Sequence, residues 1–145
     1  MSRPIVLDTN VVLDLLVFDD PATPVLQRAL DAGQLQWIAT LVMREELARV
    51  LAYPHIVGRL DYYRLSAGDV LAAFDRQTQI VEVAPRATMH CKDPDDQKFI
   101  DLAVAHRAAL LSKDHAVLKL RKRLTLQGVP AATRLDALPL LEPVT

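Results

Sequence analysis

Four widely separated carboxylates stand where folding could bring them into one site. Asp8 and Asp114 each follow a short apolar segment, while Glu46 and Asp96 fall within the apolar stripes of predicted helices. Ligands of parallel sheets bind at the carboxyl ends of the strands, so we expect Asp8 and Asp114 at one edge of the sheet. For either residue alone, capping of the following helix is an equally good explanation.

Glu46 is predicted to lie on the core side of its helix. It shares an apolar stripe with Met43 and Val50. A carboxylate placed there needs a counter-charge. The sequence leaves two sources open, a metal ion or a cationic neighbour such as Arg44 or Arg49.

Asp96 repeats this pattern in a second helix, where Phe99 and Ala103 share its face. Capping explains Asp93 at the helix start, and the helix dipole explains Asp95. Neither effect explains an inward-facing Asp96.

Four carboxylates at one sheet edge would repel one another unless a cation lay between them. Mg²⁺ and Mn²⁺ prefer oxygen ligands, so these two ions are the predicted cofactors. The histidines and the cysteine lack zinc-site spacing. We expect them to be surface, boundary or loop residues: His55, His90, His106, His115 and Cys91.

The pattern of elements predicts an α/β fold with a mainly parallel sheet. Short apolar runs predict the strands Ile5–Leu7, Trp37–Ala39, Ile80–Val83, Leu110–Leu111 and Val129–Ala132. Helical spacing and caps predict helices from Asn10 to about Phe18, Val25 to about Leu30, after Thr40 to Leu51, Val70 to about Thr78, Pro94 to about His106, and Val117 to about Leu124.

Composition fits one domain over residues 1–145, with 51% hydrophobic residues and a formal net charge of −1. The single cysteine favours a reducing compartment, and no apolar run reaches membrane-span length. We therefore expect a cytoplasmic protein without a membrane segment. Leu138, Leu140 and Leu141 are expected to cover the core, with a subunit contact as the alternative.

The order of these motifs resembles the PIN-domain family, in particular its small stand-alone bacterial members described as VapC-like toxins. The resemblance covers nearly the whole chain. It rests on four segments in order: Val6–Val12, Arg44–Leu51, Asp93–Ala103 and Leu110–Asp114.

The resemblance implies a three-layer α/β/α sandwich and a metal-dependent endoribonuclease that yields 3′-hydroxyl and 5′-phosphate ends. It implies a Mg²⁺ or Mn²⁺ site that activates the attacking water, a small antitoxin partner and a homodimer. Many relatives carry another acid or amide where this chain has Ala116, which argues against a tightly held second ion. The implied residues are Asp8, Glu46, Asp96 and Asp114 as catalytic metal ligands, with Asn10 and Ser112 near the metal or substrate phosphate; Lys113 is predicted to bind substrate from its charge.

RNA binding would depend on local positive charge, because the whole chain carries almost none. Basic residues follow the fourth acid, and a solvated helix face is the alternative explanation for them. They are Lys113, Lys119, Arg121, Lys122 and Arg123.

Two other functions fit parts of the pattern. An aspartate-nucleophile phosphatase also begins with an Asp at a strand end, but it usually carries a second Asp where this chain has Asn10. A catalytically degenerate RNA- or protein-binding module would keep the fold and lose the chemistry. Retention of all four acids argues against that module.

Overall fold

The computed structural model describes residues 2–138, in which five parallel strands form one sheet. The strand order is β3-β2-β1-β4-β5, so β1 lies at the centre. The strands are β1 Arg3–Leu7, β2 Leu35–Ala39, β3 Thr78–Ile80, β4 Ala109–Leu111 and β5 Ala131–Ala132.

Eight α-helices connect and follow these strands within the described residues. A π-helical segment, Asp14–Phe18, continues the first helix, and short 3₁₀ turns cover Pro94–Asp96 and Leu135–Ala137. The helices are α1 Thr9–Leu13, α2 Thr23–Asp31, α3 Leu41–Val50, α4 Pro54–Tyr62, α5 Ala67–Gln77, α6 Gln97–His106, α7 His115–Leu118 and α8 Arg121–Leu126.

Both faces of the sheet are covered. Ile5, Val6 and Leu7 are consecutive in β1 and at most 2% exposed, although successive strand residues point to opposite faces. On β2, Trp37 packs edge-on against Phe74 of α5, with ring centroids 5.2 Å apart. The predicted α/β/α sandwich with a parallel sheet is confirmed.

One helix was missed and one helix prediction was wrong in detail. The α3 helix ends before Tyr53-Pro54, near the predicted Leu51, but Pro54 then begins the missed helix α4, because proline fits the first turn of a helix. The single helix predicted after Asp114 is two helices, α7 and α8, separated at Lys119 and Leu120.

The third strand begins earlier than predicted. β3 starts at Thr78, directly after α5, and its pairing with β2 extends to Val81, whose N–H donates to the Ala39 carbonyl at 2.8 Å. The predicted strand ran on to Val83, but that residue lies beyond the paired segment and is exposed.

Leu138 is buried, as expected, whereas Leu140 and Leu141 lie outside the described residues. Over residues 2–138, none of the helices combines the length and the apolar character that crossing a membrane requires.

Candidate metal centre

The two central strands place the first and fourth predicted acids side by side. Leu7 of β1 pairs with Leu111 of β4, and the N–H of Asp8 donates to the Leu111 carbonyl at 3.0 Å. Asp8 and Ser112 therefore leave the same edge of the sheet, although they lie 104 residues apart in the chain.

Asp8 is 2% exposed and held by three donors. Its Oδ1 accepts from the Val11 N–H at 2.9 Å, which caps α1. Its Oδ2 accepts from the Ser112 hydroxyl at 2.5 Å and from the Lys113 N–H at 3.1 Å. Burial raises the pKa of Asp8 more than these hydrogen bonds lower it, and the nearby Asp114 adds to the rise.

Ser112 links Asp8 to Asp114. Its Oγ donates to Asp8 and accepts from the Asp114 N–H at 3.0 Å. The Asp114 side chain in turn caps α7 through the Ala116 N–H at 2.8 Å. One buried hydroxyl therefore fixes the spacing of two acids that follow different strands.

Three carboxylates converge at the start of α6. Each of Asp93, Asp96 and Asp114 offers an oxygen within 4.8 Å of those of the other two, and all three are half-buried. Asp93 also caps the 3₁₀ turn through the Asp95 N–H at 3.0 Å. Pro94 fits the first position of that turn.

Gln97 fixes the loop that leads into this group. Its side chain is buried, accepts from the Cys91 N–H at 2.7 Å and donates to the Met89 carbonyl at 2.9 Å. It also donates to Asp101 at 2.8 Å. The approach to Asp93 is thus positioned by a satisfied buried amide.

The environment of Asp96 disfavours its charge. Burial raises the pKa of Asp96 to about 8, together with its contact with Asp114 and the charges of Asp93 and Asp8. Its Oδ2 is buried, and no described residue donates a hydrogen bond to it. Such an atom needs either a proton or a cation.

A divalent cation fits this group. Over residues 2–138, neither lysine nor arginine forms an ion pair with Asp93, Asp96 or Asp114. The donors are all carboxylate oxygens, the ligand type that Mg²⁺ and Mn²⁺ prefer. A cation would relieve the repulsion and give Asp96 Oδ2 its missing partner.

The charge of Glu46, unlike that of Asp96, is compensated by a protein side chain. Its Oε2 forms an ion pair with the Lys98 ammonium, and its Oε1 accepts from the Thr9 hydroxyl at 2.8 Å. The cationic neighbour that the sequence left open is therefore Lys98. Arg44 pairs instead with Asp75 on α5, at 2.7 Å.

The acids open into a cleft of about 220 Å³. Its wall includes Asp8, Glu46 and Asp96, and Tyr53 and His55 also line it. A larger cleft of about 390 Å³ beside the first residues of β2 contains none of the four predicted acids.

The predicted substrate-binding residues have three different environments. Asn10 is exposed and lines the cleft, while Ser112 is buried beneath it. The ammonium of Lys113 pairs with Asp14 and lies 3.6 Å from Asp20. Only the backbone of Lys113 contacts Asp8.

The structure thus brings Asp96 and Asp114 together and links Asp8 to Asp114 through Ser112. Glu46, paired with Lys98, lies in the wall of the cleft that Asp8 and Asp96 also line. Sequence reasoning missed Asp93 as a member of the acidic group, because a cap explained it fully. It also missed Lys98, whose partner lies on another helix. The spacing of Lys98, two residues after Asp96, could not reveal that contact.

The PIN-domain family matches residues 4–116, more than three quarters of the 145-residue chain. The matched region runs from β1 into α7 and includes every acid described above. No curated protein matches the chain. With its parallel five-stranded sheet and its acidic cleft, the chain belongs to the PIN-domain family and has a nuclease-type fold.

Proposed function

We propose that this protein is a metal-dependent endoribonuclease that hydrolyses RNA phosphodiester bonds with Mg²⁺ or Mn²⁺. The observation that carries the proposal is the convergence of Asp93, Asp96 and Asp114 without a cationic partner among residues 2–138. These three residues would hold the ion, with the buried Asp8 beside them.

The ion would activate a water molecule and offset negative charge on the phosphate during in-line displacement. The protein supplies the geometry for this reaction. Ser112 fixes the position of Asp8 relative to the Asp114 backbone through two hydrogen bonds. Thr9 fixes Glu46 at the cleft wall through a third. Because these contacts form before substrate binds, little reorganisation is needed during the reaction.

RNA contacts would come from the rim of the cleft. The Tyr53 and His55 rings lie 6.1 Å apart there and could stack on unpaired bases. Asn10 offers an amide to the sugar or phosphate. The exposed basic residues of α7 and α8 would bind the backbone: Lys119, Arg121, Lys122 and Arg123.

The environment of Asp8 does not favour the phosphatase alternative. A nucleophilic carboxylate needs an exposed oxygen, whereas Asp8 is 2% exposed and both of its oxygens accept hydrogen bonds. The binding module differs from the nuclease only in the absence of turnover, so an activity measurement separates these two.

The test is cleavage of a structured RNA by purified protein with Mg²⁺, with Mn²⁺ and with chelator. We expect metal-dependent internal cleavage that leaves 3′-hydroxyl and 5′-phosphate ends. Asp8→Asn should lower the rate by about 10²- to 10³-fold, whereas Asp95→Asn, an exposed neighbour of the site, should not. RNA binding without cleavage would support the module, and a phosphoaspartate at Asp8 would support the phosphatase.

A toxin role, a small antitoxin and a homodimer are further proposals. Exposed apolar side chains on and before α4 support a protein partner, since Tyr53, Val57 and Tyr62 are 47%, 41% and 78% exposed. Light scattering of the purified protein would test the dimer, and co-expression with the gene next to its own would test the antitoxin.

A further inference from the structure

Glu46 lines the acidic cleft but is not one of the converging carboxylates. Among residues 2–138, the group with oxygens within 4.8 Å of one another is Asp93, Asp96 and Asp114. Both oxygens of Glu46 already have partners, the Thr9 hydroxyl and the Lys98 ammonium. Glu46 therefore does not share the unmet need for a cation that Asp96 shows.

Lys98 is held on Glu46 by three contacts. Its ammonium pairs with Glu46 and donates to the Asp95 carbonyl, and it lies 4.9 Å from the centre of the Phe99 ring. Its side chain is 22% exposed and that of Glu46 is 18% exposed, so the pair is shielded from solvent. A charge fixed in this way is a permanent part of the site.

The geometry points to Lys98 as a positioning residue that gives Glu46 a built-in positive charge, so that the centre holds one divalent cation rather than two. This inference rests on the proposed nuclease function and specifies its metal content. A second divalent ion would need carboxylate oxygens facing it. Of the acids nearest the first ion, Asp8 already accepts from three donors, and each oxygen of Glu46 has a partner, Lys98 or Thr9.

The region after the fourth acid offers no carboxylate, since residues 115–126 contain neither Asp nor Glu. Asp114 uses Oδ1 to cap α7, and the residue that it caps, Ala116, has no donor side chain. The counter-charge that Lys98 gives Glu46 therefore decides whether a second ion binds.

The experiment counts the Mn²⁺ ions bound by the metal-free full chain, using calorimetry together with the electron paramagnetic resonance signal of free Mn²⁺. We expect wild type to bind one ion. Glu46→Gln should also bind one ion, because Glu46 is not a ligand, with a Kd about 10-fold higher because the Lys98 charge is then uncompensated. Lys98→Met should bind two, the second more weakly, because Glu46 then lacks its counter-charge.

Lys98→Arg keeps the charge and should bind one ion, and so should Lys92→Met, which removes an exposed lysine nearby. Two ions in wild type with one in Glu46→Gln would overturn the inference and leave the nuclease proposal standing. So would a single ion in a folded Lys98→Met. If Lys98→Met does not fold, wild type and Glu46→Gln decide the question. No ion bound to wild type would overturn both proposals.

Discussion

Asp96 holds the least favourable charge in the cleft. Its pKa rises to about 8 because it is buried, contacts Asp114 and lies near Asp93 and Asp8. An ordinary Asp ionises near 3.8, so the metal-free folded protein holds a proton here that the unfolded chain has released. The stability of the metal-free fold should therefore fall as pH rises from about 4 to about 8.

Asp96→Asn should separate stability from function. At neutral pH wild type can fold only by taking up a proton on Asp96 or by burying its charge, whereas Asn needs neither, so the metal-free variant should be more stable than wild type by about 1–2 kcal/mol. Its stability should fall less than that of wild type between pH 4 and 8, and it should lose Mn²⁺ binding and cleavage. Thermal unfolding across this pH range measures the first effect. A variant less stable than wild type at every pH would contradict this account of Asp96.

Ser112→Ala tests the link between the acids that follow β1 and β4. The change removes a donor to Asp8 and the acceptor of the Asp114 N–H, so unfolding free energy should fall by about 1–3 kcal/mol. The cleavage rate should fall as well. Ser66→Ala is the matched control, since it loses the cap of α5, at a cost of about 1 kcal/mol, far from the cleft. Equal activity of the two variants would show that Ser112 has only a structural role.

At the scale of elements, the site depends on the two segments that follow the paired strands β1 and β4. The π-helical segment after α1 carries Asp14, which is 8% exposed and pairs with Lys113 just after β4. Asp20, beyond the same segment, lies 3.6 Å from the same ammonium. The Lys113–Asp14 pair therefore connects the turn before α7 to the segment after α1. The same turn donates the Lys113 N–H to Asp8, so the ion pair helps to position that acid.

Lys113→Met should destabilise the fold through Asp14. Removing one partner of a partly buried pair leaves the other uncompensated, at an expected cost of about 1–3 kcal/mol. Adding Asp14→Asn should restore part of the loss. A double-mutant cycle from urea denaturation measures the coupling. Additive losses would mean that the pair does not hold the turn, and an unchanged stability with weaker RNA binding would favour the predicted substrate role of Lys113.

Local sequence patterns predicted the elements and most of the site. Three continuous apolar residues identified β1, and the Thr40 and Asp93 caps located the starts of two helices. Asp8 and Asp114 followed from strand ends. The predictions failed where one residue has two roles: Pro54 both ends and begins a helix, and Asp93 is both a cap and a member of the acidic group.

The sequence pattern could not predict two tertiary contacts, for a physical reason. Lys98 of α6 contacts Glu46 of α3, and Lys113 after β4 contacts Asp14 in the π-helical segment after α1. A pattern with helical or strand period reports which face a residue occupies, not which long side chain reaches it. The counter-charge of Glu46 was therefore predictable in kind, while its identity needed the fold.

The whole molecule combines an acidic cleft with a basic segment, and its formal net charge is only −1. RNA would then be drawn by the local charge of α7 and α8 rather than by a general field. The acids concentrate at the carboxyl edge of the sheet, and the basic residues follow the fourth acid directly.

Charge removal from this segment should change binding more than chemistry. In the test variant, Gln replaces four residues: Lys119, Arg121, Lys122 and Arg123. Its KM should rise while its kcat stays nearly unchanged. RNA binding should also depend less on salt, because each lost phosphate contact makes the slope of log affinity against log salt concentration shallower by about 0.7–0.9. Binding titrations at several salt concentrations measure that slope. An identical slope in the variant would remove these residues from the RNA interface.

The most direct test of the central claim is a crystal structure of the full chain grown with Mn²⁺, in which anomalous scattering locates the ion. We expect a peak between Asp93, Asp96 and Asp114, at roughly 2.0–2.3 Å from carboxylate oxygens of this group. A protein that cleaves RNA but shows its ion elsewhere, or no ion at Mn²⁺ concentrations that support cleavage, would contradict the account.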